Sequence, residues 1–147
     1  MNNIEYFKKQ VKHWSKRFRL GEITVCPDPH MWFVAFIGYK SKTLWYNSNQ
    51  LRGLSKYELT RIVFHELGHF KHPVYNKNHK YEHWEYMLAE YLAEKQMFKW
   101  LKKYYPRYYK IELKDLKNRL EYILTYHKKY CYYFEAFSQI PEYAKHL

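Results

Sequence analysis

Two histidines stand four residues apart in the segment His65-Glu66-Leu67-Gly68-His69. On a helix, residues four apart share one face, so the two imidazoles can bind the same Zn²⁺ ion. The glutamate between them then lies beside the open coordination position of the metal, where it can accept a proton from bound water. The segment therefore predicts a catalytic zinc site with His65 and His69 as ligands and Glu66 as general base.

The residues before this segment predict the helix that such a site requires. Ser55 and Glu58 have the spacing of a capping box, which marks the N-terminus of a helix. Apolar residues then recur at helical spacing, at Leu59, Ile62, Val63, Leu67 and Phe70. We therefore expect one face of this helix to enter a core while His65 and His69 share another.

A catalytic zinc ion usually has three protein ligands, so one more must come from elsewhere in the chain. A second helix is predicted from about Tyr81 to Tyr105. Glu90 and Glu94 share one face of it, so Glu90 can bind the metal while Glu94 hydrogen-bonds a ligand imidazole and fixes its tautomer. Glu90 is the predicted third ligand, and Glu94, Glu85 and His83 stay open as alternatives.

The rest of the chain predicts an α+β fold in a single domain of residues 1–147. Apolar spacing predicts an N-terminal helix from Ile4 to Leu20 and a C-terminal covering helix from Ile111 to Phe134, with His127 as a core residue. Three short strands are predicted at Ile23–Cys26, Met31–Tyr39 and Thr43–Tyr46. Because short links join these strands, we expect a small antiparallel meander.

The third strand, directly before the metal helix, is a candidate for substrate binding. A peptidase must hold its substrate extended, and an unpaired sheet edge can accept an extended peptide as a further strand. The competing interpretation is an ordinary edge strand that Lys40 and Lys42 protect from association with other strands.

Composition restricts the setting and the partners. The chain has only two cysteines, Cys26 and Cys131, far apart and not in a C-x-x-C arrangement, which excludes a zinc ribbon and favours a reduced compartment. The N-terminus lacks the apolar core of a signal peptide, so we expect a cytoplasmic protein with no membrane partner. The formal charge is +12, but the lysines are spread over nearly every segment, so the sequence does not favour nucleic acid as a partner.

Together these residues resemble the ImmA/IrrE-type zinc metallopeptidases, which are small gluzincins of bacteria, phages and mobile elements. The matching positions run from about Thr43 to Leu101 and comprise Asn47-Ser48-Asn49, Leu54, the His65 to His69 motif and Glu90-x-x-Ala93-Glu94. The resemblance implies a compact zincin-like unit with one zinc ion. It also implies cleavage of a regulatory protein, such as a transcriptional repressor.

The predicted function is hydrolysis of peptide bonds by a zinc-dependent endopeptidase. Zinc-bound water is the nucleophile, and Glu66 accepts its proton and passes that proton to the leaving amine. The tetrahedral oxyanion needs a further donor beside the metal. The sequence offers four unranked candidates for that donor, His72, Tyr75, His79 and His83.

Two other classes of function stay open. His79 and His83 stand four residues apart, which allows a Spartan/SprT-like DNA-associated metalloprotease with a third histidine ligand. The other alternative is a non-catalytic basic module in which zinc has only a structural role.

Overall fold

A computed structural model describes residues 1–74, 83–126 and 140–144 of the chain. The structure is α+β, as the sequence predicts, and it divides into two compact units, Met1–Pro73 and Val74–Leu147. The elements of the first unit are α1 (Asn3–Arg17), β1 (Thr24–Pro27), β2 (Ala35–Gly38), β3 (Thr43–Tyr46), α2 (Ser48–Leu51) and α3 (Lys56–Lys71). Those of the second are α4 (His83–Tyr104), α5 (Pro106–Tyr126) and α6 (Pro141–Ala144).

Helix α1 is defined at both ends by local signals. Asn2 caps its N-terminus and forms a capping box with Glu5. Its apolar stripe is buried, at Phe7, Val11, Trp14 and Phe18. The helix ends at Arg17, three residues before the predicted end, and the chain turns away through left-handed conformations at Arg19 (φ 56°) and Gly21 (φ 81°).

The three strands form a mixed sheet rather than the predicted antiparallel meander. The strand order is β1-β3-β2, with β2 antiparallel to β3 and β1 parallel to it. The tight link from β2 to β3 dictates the antiparallel pair. The link from β1 to β2 instead crosses the end of β3, where Asp28 N–H donates to Tyr46 O over 2.8 Å. This crossing places β1 on the far side of β3, so the meander prediction is wrong.

Strand β3 is consequently the central strand, and the prediction that it is a free edge is also wrong. The edges are β1 and β2. Strand β2 is shorter than the predicted Met31–Tyr39, and two aromatic side chains before it are exposed, Trp32 by 93% and Phe33 by 65%.

An aromatic cluster holds α1, α3 and the sheet together in the first unit. The ring of Phe64 in α3 lies 5.1 Å from that of Trp14 and 5.7 Å from that of Phe18, centroid to centroid. Phe7 lies 5.6 Å from Tyr46 of β3. These contacts hold the apolar side of α3 in the core. His65 and His69 lie on a different face of the same helix.

The second unit is helical over its described residues. Helix α4 is close to its predicted bounds, whereas α5 begins at Pro106, earlier than predicted, because proline is favoured in the first turn of a helix. The end of the predicted helix, with His127, lies outside the described residues. The Tyr109 hydroxyl of α5 donates to Glu142 of α6 over 3.2 Å, and partial burial together with this carboxylate raises the pKa of Tyr109 from its usual value.

None of the helices in the described parts of the chain combines the length and the hydropathy that a bilayer span needs.

Candidate metal centre

The helix that carries the histidines is capped as the sequence predicts. Ser55 Oγ accepts from Glu58 N–H over 3.2 Å, and Glu58 Oε2 accepts from Ser55 N–H over 2.7 Å, which is the reciprocal capping box. The helix ends at Lys71; His72 follows as the C-cap, and its N–H donates to Gly68 O. Because Pro73 comes next, the helix contains the whole motif and little beyond it.

The motif places two imidazoles side by side on α3. The ring centroids of His65 and His69 lie 4.9 Å apart, with the ring planes nearly perpendicular at 83°. His65 is half-buried and His69 is 6% exposed. Glu66 is 9% exposed, which is unusual for a glutamate, because burying a carboxylate is costly unless other groups stabilise it.

The opposite side of α3 is packed tightly. Leu59, Val63 and Leu67 are fully buried, as the apolar spacing predicts. Thr60 adds hydrogen bonds to this packing. Its hydroxyl donates to Lys56 O over 2.8 Å and lies 3.2 Å from the hydroxyl of Tyr6 in α1. A helix fixed in this way can hold functional side chains in a constant position.

Helix α4 carries the acidic candidates for the third ligand. Glu85 is 8% exposed and Glu94 is 3% exposed, whereas Glu90 is half-buried. Ala93, the small residue of the Glu90-x-x-Ala93-Glu94 pattern, is fully buried. Burial alone therefore gives no ranking that favours Glu90 among the three carboxylates.

The three predicted ligands, His65, His69 and Glu90, lie on α3 of the first unit and on α4 of the second. Two imidazoles and one carboxylate are donors that zinc accepts in catalytic sites. The donor set thus fits the metal that the sequence predicts.

Several of the other candidates lie where the structure makes no statement. Tyr75 and His79 are outside the described residues, and the side chain of His83 is also outside them. Of the proposed oxyanion donors, His72 is the one whose side chain is described; it is half-buried directly after α3.

Asn47 has an organising role that the sequence analysis missed. It is 5% exposed, its Oδ1 accepts from Asn49 and Gln50 N–H as the N-cap of α2, and its Nδ2 donates to Met31 O over 2.8 Å. The side chain therefore ties the segment before β2 to the segment after β3. An asparagine before a short polar run is a recognisable N-cap signal, but its second bond depends on residues far away in sequence.

The outer edge of β2 pairs with no other strand of the described residues, and two residues of β2 have backbone groups that point outward there. Asn47 N–H donates to Val34 O over 2.8 Å, which identifies these two residues as a hydrogen-bonded antiparallel pair. Such pairs alternate along the ladder, so the N–H and C=O groups of Ala35 and Ile37 face away from β3. Strand β2 also lies beside α3, where the rings of Tyr39 and Phe70 are 6.4 Å apart.

Comparison with known proteins gives no match to a family model, to a curated protein or to a solved structure. The resemblance to ImmA/IrrE-type peptidases consequently rests on the motif residues alone and stays a prediction. The chemistry of the site is accordingly interpreted from its own residues.

Proposed function

We propose that this protein is a zinc-dependent endopeptidase of zincin-like fold, with His65, His69 and Glu90 as metal ligands and Glu66 as general base. The observation that carries the proposal is the arrangement on α3, where a buried glutamate stands between two neighbouring imidazoles on a capped helix. A helix with only a packing role has no need for three such side chains at these positions.

The choice of zinc follows from the donor atoms. Two imidazole nitrogens and one carboxylate oxygen match the ligand types of catalytic zinc and leave a coordination position open. When bound there, zinc supplies a Lewis acid that lowers the pKa of a coordinated water to about 7 and polarises the substrate carbonyl.

Glu66 moves the proton in this reaction. Its carboxylate accepts a proton as the oxygen of water attacks the carbonyl carbon of the peptide, and then donates that proton to the amine nitrogen as the C–N bond breaks. This role requires a carboxylate held close to the histidines without being a ligand itself. The burial of Glu66 and the packed opposite face of α3 both restrict its motion.

The edge of β2 is the surface that we assign to the extended substrate. Ala35 and Ile37 can each donate an N–H and offer a C=O to a peptide that adds as a further strand. This assignment replaces β3, which is central in the sheet. The substrate class is a protein or peptide with an extended segment, and a repressor-like regulatory protein is the target that the family resemblance implies.

The decisive experiment compares wild type with Glu66→Gln at equal zinc occupancy. The variant should keep its fold and its zinc, because the change is nearly isosteric, but should lose cleavage of an unfolded protein or of a co-expressed repressor-like protein. Loss of a general base lowers rates by about 100-fold to 10,000-fold. Glu22→Gln, the same change at an exposed position, is the matched control and should cleave like wild type.

Equal cleavage by wild type and Glu66→Gln would refute Glu66 as general base. A structural zinc site gives a different pattern, in which wild type binds zinc and neither protein cleaves any substrate. A Spartan/SprT-like site gives a third pattern, in which cleavage and zinc binding depend on a third histidine, His79 or His83, as well as on His65 and His69.

A further inference from the structure

Helix α1 carries two rows of cationic side chains on its outer face. The residues of each row are four apart, with Lys8, Lys12 and Lys16 in one row and Lys9, His13 and Arg17 in the other. All six side chains are exposed. At about 6 Å per step, each row is about 12 Å long.

The acidic content of α1 is too small to neutralise these rows. The helix contains five lysines and arginines and one acidic residue, Glu5, whose carboxylate accepts from Asn2 N–H at the N-terminus. Helix α5 also has five lysines and arginines, but three acidic residues, Glu112, Asp115 and Glu121, are interspersed among them. Like charges four residues apart destabilise an isolated helix, so the rows on α1 oppose helix formation.

A membrane surface does not suit this helix. A basic amphipathic helix binds a bilayer by inserting its apolar face among the lipids. The apolar face of α1 is already buried in the first unit, at Phe7 (0% exposed), Val11 (1%) and Trp14 (6%). The cationic face can therefore act through its charge alone.

Repeated phosphates are the anions that such rows fit. One strand of duplex DNA carries a phosphate about every 3.4 Å along the axis, so a row of about 12 Å is as long as three or four phosphates. Lys12 and Lys16 project from the middle and the end of one row, and Lys9 begins the other. An acidic protein would need carboxylates at one particular spacing, whereas duplex DNA offers its charges continuously.

The amide side chains of α1 and of its N-cap, which could read bases, are already engaged. Asn2 caps the helix, Asn3 Nδ2 donates to Leu51 O and Leu54 O over 2.8 Å, and Gln10 Oε1 accepts from Trp14 Nε1 over 2.9 Å. Apart from His13, the outer face has no exposed aromatic ring on which an unpaired base could stack.

We infer that the outer face of α1 binds the phosphate backbone of duplex DNA without regard to base sequence. Lysines and arginines that contact phosphates release condensed counterions, so the affinity falls steeply with salt. Five such contacts give a slope of about −4.5 in log K against log[salt], which is a loss of about 500-fold between 50 and 200 mM salt.

The test uses the full chain and a fluorescein-labelled 20-base-pair duplex, with binding followed by anisotropy over this salt range. Lys12→Gln/Lys16→Gln removes two contacts, so the slope should shrink to about −2.7 and the loss to about 40-fold. The matched control is Lys110→Gln/Lys114→Gln in α5, where both lysines are exposed, four residues apart and change the net charge equally. The control should behave like wild type, and thermal melting of each variant checks that it is folded.

Equal slopes for the two double variants would overturn the inference, because binding would then depend on total charge and not on α1. Tighter binding to the single strand, to an unrelated acidic peptide or to vesicles with anionic lipid than to the duplex would also overturn it, as would discrimination between duplexes of different sequence. DNA binding does not require cleavage, so Glu66→Gln should bind like wild type. The outcome is thus independent of the peptidase proposal.

Discussion

Helices α3 and α4 both carry candidate zinc ligands, but they specify those ligands in different ways. In α3 the helix start, the apolar face and the histidine pair all follow from residues within one stretch of chain, from Ser55 to His72. In α4, three glutamates of one chemical type compete, and burial does not single out the predicted ligand Glu90, because Glu85 and Glu94 are both more buried. A motif inside one helix is therefore defined by local geometry, whereas a ligand from another helix depends on long-range packing.

The largest expected effect concerns the α3 pair. Replacing His65 or His69 by Ala removes a predicted ligand, so zinc affinity should fall by more than about 100-fold, which is the upper value typical when a residue that only supports a ligand is lost. Metal analysis of purified protein should show one zinc per chain in wild type and most of it lost in each variant.

His13→Ala is the matched control for the histidine variants, because His13 is exposed on α1, away from the motif. It should keep its zinc. Undiminished zinc in both motif variants would refute the site assignment.

The next largest effect tests which glutamate of α4 is the third ligand. Glu90→Ala should lower zinc affinity sharply, Glu94→Ala should lower it by about 10-fold to 100-fold through loss of support to a ligand, and Glu85→Ala should leave it unchanged. Competition with a chromophoric chelator measures all three affinities on one scale. If Glu94 or His83 proved essential and Glu90 dispensable, the assignment of the third ligand would be wrong.

The smallest expected effect concerns the capping box at the start of α3. Ser55→Ala removes the side-chain acceptor for Glu58 N–H and should destabilise the protein by about 1 kcal/mol, within a range of about 0.5–2 kcal/mol. Urea denaturation measures the change. Ser41→Ala, at an exposed turn position, should differ from wild type by less than about 0.5 kcal/mol. Equal losses in the two variants would show that the capping box does not contribute specifically.

The helices were more predictable than the sheet for the same reason. The helical spacing of apolar residues and the cap signals of α1 and α3 lie within one or two turns of chain, so the sequence predicts these helices to within a few residues. The pairing of β1 depends instead on how the link after Pro27 crosses the end of β3 and on a bond from Asn47 to Met31. The short link between β1 and β2 therefore suggested β2 as the neighbour of β1, whereas the neighbour of β1 is β3.

The charge distribution shows the same limit of sequence reasoning. Read along the chain, the lysines look evenly spread, and nucleic acid was not favoured as a partner. The structure shows that burial of Phe7, Val11 and Trp14 leaves the cationic residues of α1 together on one outer face. Clustering in space depends on which face of a helix is covered.

The sequence by itself determined the α+β class, the capped helix around the motif and the side-by-side placement of His65 and His69. These features depend on backbone hydrogen bonds and on spacing within one helix, which neighbouring residues specify. Only the tertiary structure decided that β3 is the central strand of the sheet and that β2 is an edge strand beside α3. Both depend on contacts between residues far apart in the chain, where several alternatives are locally equivalent and packing selects one of them.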